Sequence, residues 1–287
     1  MSGDGMTASL GMAGTRHRAQ DAAARDGLPP VLWLAALAAA LWPHWLWMAG
    51  RWRDGSDDPL GLAALLAVAL SAPRYAARMT RQVSGLWLTL ALAACVAATA
   101  ALFFAPPLVG ALLAALTLAA ASRALLPAGQ PSLALGGLLL LALPLISSLQ
   151  FYAGFPLRIA TAQLSTWLLQ AFGAEAQRSG AAMLVNGRLI IVDAPCSGVQ
   201  MVWMAYFCAC AAALWAQQPN GVFLRRLAGV GAIVLAGNVL RNSVLVLLEA
   251  QPAPVAAWLH QGVGLMVLAM VCTAVVSLVG RKSHGLV

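Results

Sequence analysis

The chain has 287 residues, of which 61% are hydrophobic and 9% charged, with a mean hydropathy of +0.82. An average soluble domain is roughly a quarter charged, so a soluble globular fold is excluded and a polytopic membrane protein is expected. The 17 basic and 9 acidic residues give a net charge of +8, which suits cytoplasmic loops facing anionic lipid and gives no reason to expect nucleic-acid binding.

Residues 1–30 lack apolar periodicity and read as a disordered cytoplasmic tail, too long for the polar start of a usual signal peptide. Apolar runs follow at 31–49, 59–72, 83–104, 107–122, 132–149, 196–216, 227–249 and 260–280, which predicts an all-α polytopic fold of about eight transmembrane helices. The run 59–72 is short for a straight span, and Pro106-Pro107 leaves a tight turn between the third and fourth helices, so a six-helix count is the alternative. The expected division is an amino-terminal group of helices over 31–149, an extracytoplasmic segment over 150–195, a carboxyl-terminal group over 196–280 and a cytoplasmic tail over 281–287. With the amino terminus inside, eleven Arg and Lys residues fall on inner loops and five on outer ones. The positive-inside rule then puts both termini in the cytoplasm.

The segment 150–195 contains structure of its own. Residues 157–172, LRIATAQLSTWLLQAF, mix apolar positions with Arg158, Gln163, Ser165 and Gln170, predicting an amphipathic helix that lies at the interface or leans on the bundle. Asn186-Gly187 between two short apolar runs signals a β-hairpin with a type I′ turn, whose second strand leads to Asp193-Ala194-Pro195-Cys196.

On this topology Cys196, Arg241 and His260 share one height at the outer side of the last three helices. Cys196 starts the sixth helix, with Pro195 and Ser197 suited to a helix amino terminus, where the dipole favours a thiolate nucleophile. His260 starts the eighth helix and suits acid and base work near neutral pH. Arg241 lies about eight residues inside the seventh helix, roughly 12 Å deep. An arginine there costs on the order of 2.5 to 3.5 kcal/mol on permissive insertion scales, so it needs a wet cavity or a partner. Asn238 and Asn242 offer hydrogen bonds on the same side, Glu249 or Asp193 would serve a purely structural ion pair, and Asp193 alternatively orients His260 or ends the hairpin. Ser197 and Gly198 offer a backbone donor site or plain capping. His44, beside Pro43 in a Trp-rich run, reads as an interfacial anchor. The other four cysteines, Cys95, Cys208, Cys210 and Cys272, sit in apolar stretches as small hydrophobes, and no metal or other cofactor is expected.

The same residues carry a family resemblance. APCSGV (194–199), NVLRN (238–242) and LHQGVG (259–264) resemble, in order, the A-C-S-G, N-x-x-R and H-x-G-like motifs of the exosortase/archaeosortase family of membrane-embedded cysteine transpeptidases. The likeness covers roughly residues 150–275, and Pro195 and Gln200 depart from the usual pattern. It implies catalytic roles for Cys196, Arg241 and His260, with Asp193, Ser197, Gly198, Gln200, Asn238 and Asn242 around them. It also implies a membrane-anchored protein substrate whose carboxyl-terminal sorting signal joins a short motif such as Pro-Glu-Pro, a transmembrane helix and a basic tail. Processing would occur at the extracytoplasmic face of a bacterial inner membrane, with water, a lipid or a glycan amine as acyl acceptor. The alternative is a non-enzymatic transporter or assembly factor for exported polymer in which Arg241 lines a path; the absence of inverted repeats in the sequence weighs against a transporter.

Overall fold

The computed structural model describes residues 29–191, 197–251 and 256–281. Asp193 and Cys196 lie outside the described residues, as do the amino-terminal tail to residue 28 and the tail from residue 282.

Ten helices and three strands make up the described chain. They are α1 (Pro30–Ala40), α2 (Trp42–Arg53), α3 (Gly61–Ala76), α4 (Gly85–Phe104), α5 (Pro107–Leu125), α6 (Ser132–Leu141) and α7 (Ile146–Ala171), then β1 (Ala176–Ser179), β2 (Ala182–Val185) and β3 (Arg188–Ile191), and finally α8 (Val199–Trp215), α9 (Asn220–Glu249) and α10 (Ala257–Gly280). Among them α4, α5, α9 and α10 are long and apolar enough to cross a membrane unbroken. The pairs α1/α2 and α6/α7 are bent by 64° and 93°, giving up to six candidate spans if each pair counts as one, and α3 and α8 are shorter apolar helices.

Two of the expected straight runs are therefore broken, and proline is the cause in both. Pro43, second in α2, has no N–H to give the preceding turn, and Pro144 prevents α6 from continuing. A break leaves helix carbonyls without intrahelical partners, and an indole N–H serves each one. Trp45 Nε1 donates to the Ala38 carbonyl at 2.7 Å, and Trp203 Nε1 to the Leu141 carbonyl at 3.2 Å. Trp203 is fully buried and stacks on Phe207 with ring centroids 5.4 Å apart, so the same side chain anchors the central core. His44, expected as an interfacial anchor, is instead buried and packs against Gly110 of α5, where the missing Cβ leaves room for the imidazole.

The expected amphipathic helix over 157–172 is the second part of the 26-residue α7, which starts at Ile146 and runs on through Pro156. It leans on the bundle: Thr161, Ala162, Ser165, Thr166 and Leu169 are buried. A three-stranded antiparallel meander, β1-β2-β3, takes the place of a two-stranded hairpin. Asn186 (φ 50°) and Gly187 (φ 77°) form the loop between β2 and β3, with Val185 opposite Arg188. The inner face of the sheet, Ala176, Met183, Val185 and Ile190, clusters with Ala162 and Leu169 of α7 and with Leu245, Val246 and Ala250 at the end of α9. The sheet thus roofs the carboxyl-terminal end of α9.

Candidate active site

α9 carries Asn238, Arg241 and Asn242, which at i, i+3 and i+4 share one helix face. The two amides hold α9 to α7: Asn238 Nδ2 donates to Thr161 Oγ1 at 2.9 Å, and Asn242 Nδ2 donates to Ser165 Oγ at 2.9 Å. Thr161 and Ser165 are also one turn apart, so two successive rungs fix the rotation of α9 against α7. All four side chains are buried, where a hydrogen bond left unmade costs the full desolvation of its groups.

That fixed rotation aims Arg241 at α10. The guanidinium packs on Gly264, where an added Cβ would stand 3.3 Å from Arg241 Nε. His260 lies four residues before Gly264 on the same face of α10, about 6 Å higher by helix rise. Arg241 and His260 therefore occupy successive levels of one cleft of about 730 Å³. It is lined further by Asp58-Pro59-Leu60 ahead of α3, by Gln200, Met201 and Met204 of α8 and by Gln261, Leu265 and Leu268 of α10. Gln200 Nε2 donates to Asp58 Oδ2 at 3.0 Å across the upper part. The cleft is polar at the top and apolar below.

Among the described residues Glu249 supplies a carboxylate beside His260: His260 Nδ1 stands 3.6 Å from Glu249 Oε1. The sequence alone suggests Glu249 only as an ion-pair partner for Arg241. It ends α9, and His260 lies in the first turn of α10, so the short connection between the helices brings the two together.

The chain that follows Cys196 is also held. Ser197 Oγ donates to Gln150 Oε1 at 2.8 Å and accepts a 3.4 Å bond from the Val199 N–H. Gly198 adopts φ 83°, and a Cβ there would stand 2.8 Å from Cγ of Asn238, so both backbone conformation and space require glycine. α8 begins at Val199, with Gly198 at its N-cap, three residues later than the expected start at Cys196. Asn238 therefore touches the segment after the cysteine on one side and Thr161 on the other.

A sequence model of the transmembrane exosortase family matches residues 30–277. The chain belongs to the transmembrane exosortase family. No curated protein and no solved structure matches it. The match takes in the amino-terminal helices as well as the motif-bearing ones, consistent with the Asp58-Pro59-Leu60 wall of the cleft in this exosortase.

Of the residues singled out from the sequence, the fold brings Arg241, His260 and Gln200 to one cleft and sets Ser197, Gly198, Asn238 and Asn242 behind it. Sequence reasoning missed Thr161, Gln150, Glu249 as the neighbour of His260, and Asp58. Glu249 had a signal, a carboxylate at the end of the Arg-bearing helix just before the histidine. Thr161 and Gln150 had none, because a hydroxyl or amide in a mixed-polarity helix gives no hint of which helix it faces.

Proposed function

We propose that this exosortase is a membrane cysteine transpeptidase or endopeptidase that removes the carboxyl-terminal sorting signal of secreted proteins and transfers the product to an acceptor. The observation that carries the reading is the shared cleft: a costly membrane arginine and a histidine stand one turn apart, beside the helix that follows Cys196.

In the proposed reaction the Cys196 thiolate attacks the scissile carbonyl, and Arg241 stabilises the resulting oxyanion as a fixed positive charge in a partly dry cleft. Protonated His260 gives its proton to the leaving amine as the C–N bond breaks, leaving a thioester on Cys196. Neutral His260 then takes a proton from the acceptor, water or a lipid or glycan amine, which displaces the thiolate. Glu249, 3.6 Å from Nδ1, positions the imidazole by charge rather than by a direct hydrogen bond. Asn238, Gly198 and Ser197 position the segment around the nucleophile.

The substrate is a protein anchored by its own transmembrane helix, with a short motif outside it and a basic tail within. Confinement to the bilayer supplies proximity, which lowers the demand on the cleft for affinity. The described carboxylates Asp54, Asp57, Asp58, Glu175 and Glu249 gather at the cleft end together with Arg51, Arg53, Arg158, Arg178 and Arg188, whereas Arg74, Arg78, Arg81, Arg123, Arg225, Arg226 and Arg281 lie at the other end with no described carboxylate among them. This supports an extracytoplasmic cleft in a bacterial inner membrane, with both termini in the cytoplasm.

The test is co-expression with secreted proteins from the same cell that end in a helix and basic tail, read by intact mass. Tail removal that disappears in Cys196→Ala is the expected result, and the mass of the new carboxyl terminus tells hydrolysis from transfer. Unchanged removal in Cys196→Ala overturns the assignment.

A further inference from the structure

β3 is an edge strand: the sheet order is β1-β2-β3 and its far side carries no further strand among the described residues. In a hairpin with a two-residue loop, the residues flanking the loop exchange both main-chain hydrogen bonds, and pairing then alternates. Val185 opposite Arg188 and Met183 opposite Ile190 are thus the hydrogen-bonded pairs, which leaves the N–H and C=O groups of Leu189 and Ile191 pointing to the free edge. An edge of this kind is a template for another strand, and proteins commonly blunt it. Here the only charge on the strand, Arg188, is turned toward the Gln251 carbonyl at 2.5 Å, and Leu189 and Ile191 are 64% and 65% exposed.

The edge is also placed for use. Ile190 packs with Leu245, Val246 and Ala250 of α9, next to Glu249 and its neighbour His260. In sequence, β3 ends at Ile191, five residues before Cys196.

We propose that the free edge of β3 is the docking site for the substrate's extended peptide, which pairs with Leu189 and Ile191 as a fourth strand and so feeds its scissile bond toward the nucleophile. The occupant is the extended segment of the secreted protein ahead of its transmembrane helix; this rests on the transpeptidase reading. Main-chain pairing suits a substrate known by a short motif and its anchoring helix, because it fixes position and register while leaving the other side chains largely unread. The apolar side chains of Leu189 and Ile191 add contacts with alternate substrate residues.

Proline separates the main chain from the side chain. Leu189→Pro deletes one outward N–H and leaves the β2–β3 ladder intact, since edge positions whose N–H faces away from the sheet accept proline. Leu189→Thr changes the side chain and keeps the N–H. Measured with the intact enzyme in membranes, tail removal is expected to fall by about tenfold in Leu189→Pro, the worth of one to two main-chain hydrogen bonds, and to fall far less in Leu189→Thr, which keeps every main-chain group and loses only apolar side-chain contact. Equal rates for native enzyme and Leu189→Pro overturn the docking site, and so does an equal loss in both variants. A second measurement needs no enzyme variant: proline is placed singly along the substrate segment, and processing should fall at alternate positions. A loss with no period of two overturns the inference even if Leu189→Pro does not fold. If the native enzyme and Cys196→Ala behave alike, the transpeptidase reading fails instead, and the two failures remain distinct.

Discussion

The two ends of the helical bundle solve the same problem with different chemistry. At the Arg-rich end, side chains close the ends of helices: Gln218 Nε2 donates to the Arg281 carbonyl at 2.9 Å, Arg226 Nη1 donates to the Val279 carbonyl at 2.7 Å, and Arg78 reaches Gln130 and Gln217. The first two contacts satisfy main-chain carbonyls at the end of α10, and the third ties the loop after α3 to the segments before α6 and after α8. At the cleft end, polar groups bind helix to helix below the termini, through Asn238 with Thr161 and Asn242 with Ser165. The first arrangement finishes helices, and the second fixes rotation. Only the second can aim a side chain such as Arg241.

That difference is broken most sharply by removing one arginine from each end. Arg241→Ala is expected to reduce tail removal by about 10² to 10³, as for the loss of an oxyanion donor. Arg226→Ala should leave the rate unchanged and cost about 1 kcal/mol of stability. Both are read by the processing assay and by thermal unfolding in detergent. Similar rates in the two variants would abolish the distinction.

Glycine to alanine sharpens it further, because the same change should have opposite signs. Gly198→Ala forces a β-carbon into a left-handed conformation and against Asn238, and is expected to destabilise by about 2 kcal/mol. Gly221→Ala, in the first turn of α9 with open space around it, should stabilise by up to about 1 kcal/mol. The unfolding midpoints of the two variants give the answer.

Two asparagines test the same contrast. Asn242→Ala removes a buried rung and is expected to cost about 1 to 3 kcal/mol, with a loss of processing. Asn220→Ala, at the Arg-rich end, loses its bonds with Ser132 and Leu133 in a partly solvated setting. It should cost less than about 1 kcal/mol and leave the rate as it was. Equal losses of processing would mean that rung position is irrelevant.

Much of this was legible without coordinates, for a physical reason. Charge is expensive in an apolar chain, so Arg241 and His260 stand out, and counting residues along helices brought them within about one turn of the levels they occupy. The apolar runs likewise located most helices. What could not be read was which helices are neighbours. Thr161 and Ser165 look like the polar face of an interfacial helix until α9 is placed against them, and Asp58 looks like a loop charge until the cleft closes around it. The breaks at Pro43 and Pro144 did leave a mark in the sequence, but hydropathy over a long window outvoted the single residue that interrupts the backbone ladder.

One feature of the α2–α3 connection reaches beyond the cleft. Asp57 accepts from the Ser147 N–H at 3.3 Å with both of its oxygens, in the first turn of α7, and Arg51 Nη2 lies 3.8 Å from it. The adjacent Asp58 holds Gln200 on α8. Two neighbouring carboxylates on one short loop thus grip the starts of two separate helices. A chain trimmed to residues 146 onward would keep every motif recognisable in the sequence, yet it would lose this double clasp together with one wall of the cleft. The amino-terminal helices are therefore not detachable scaffolding, and co-expressed fragments should recover activity only if the split leaves that loop whole.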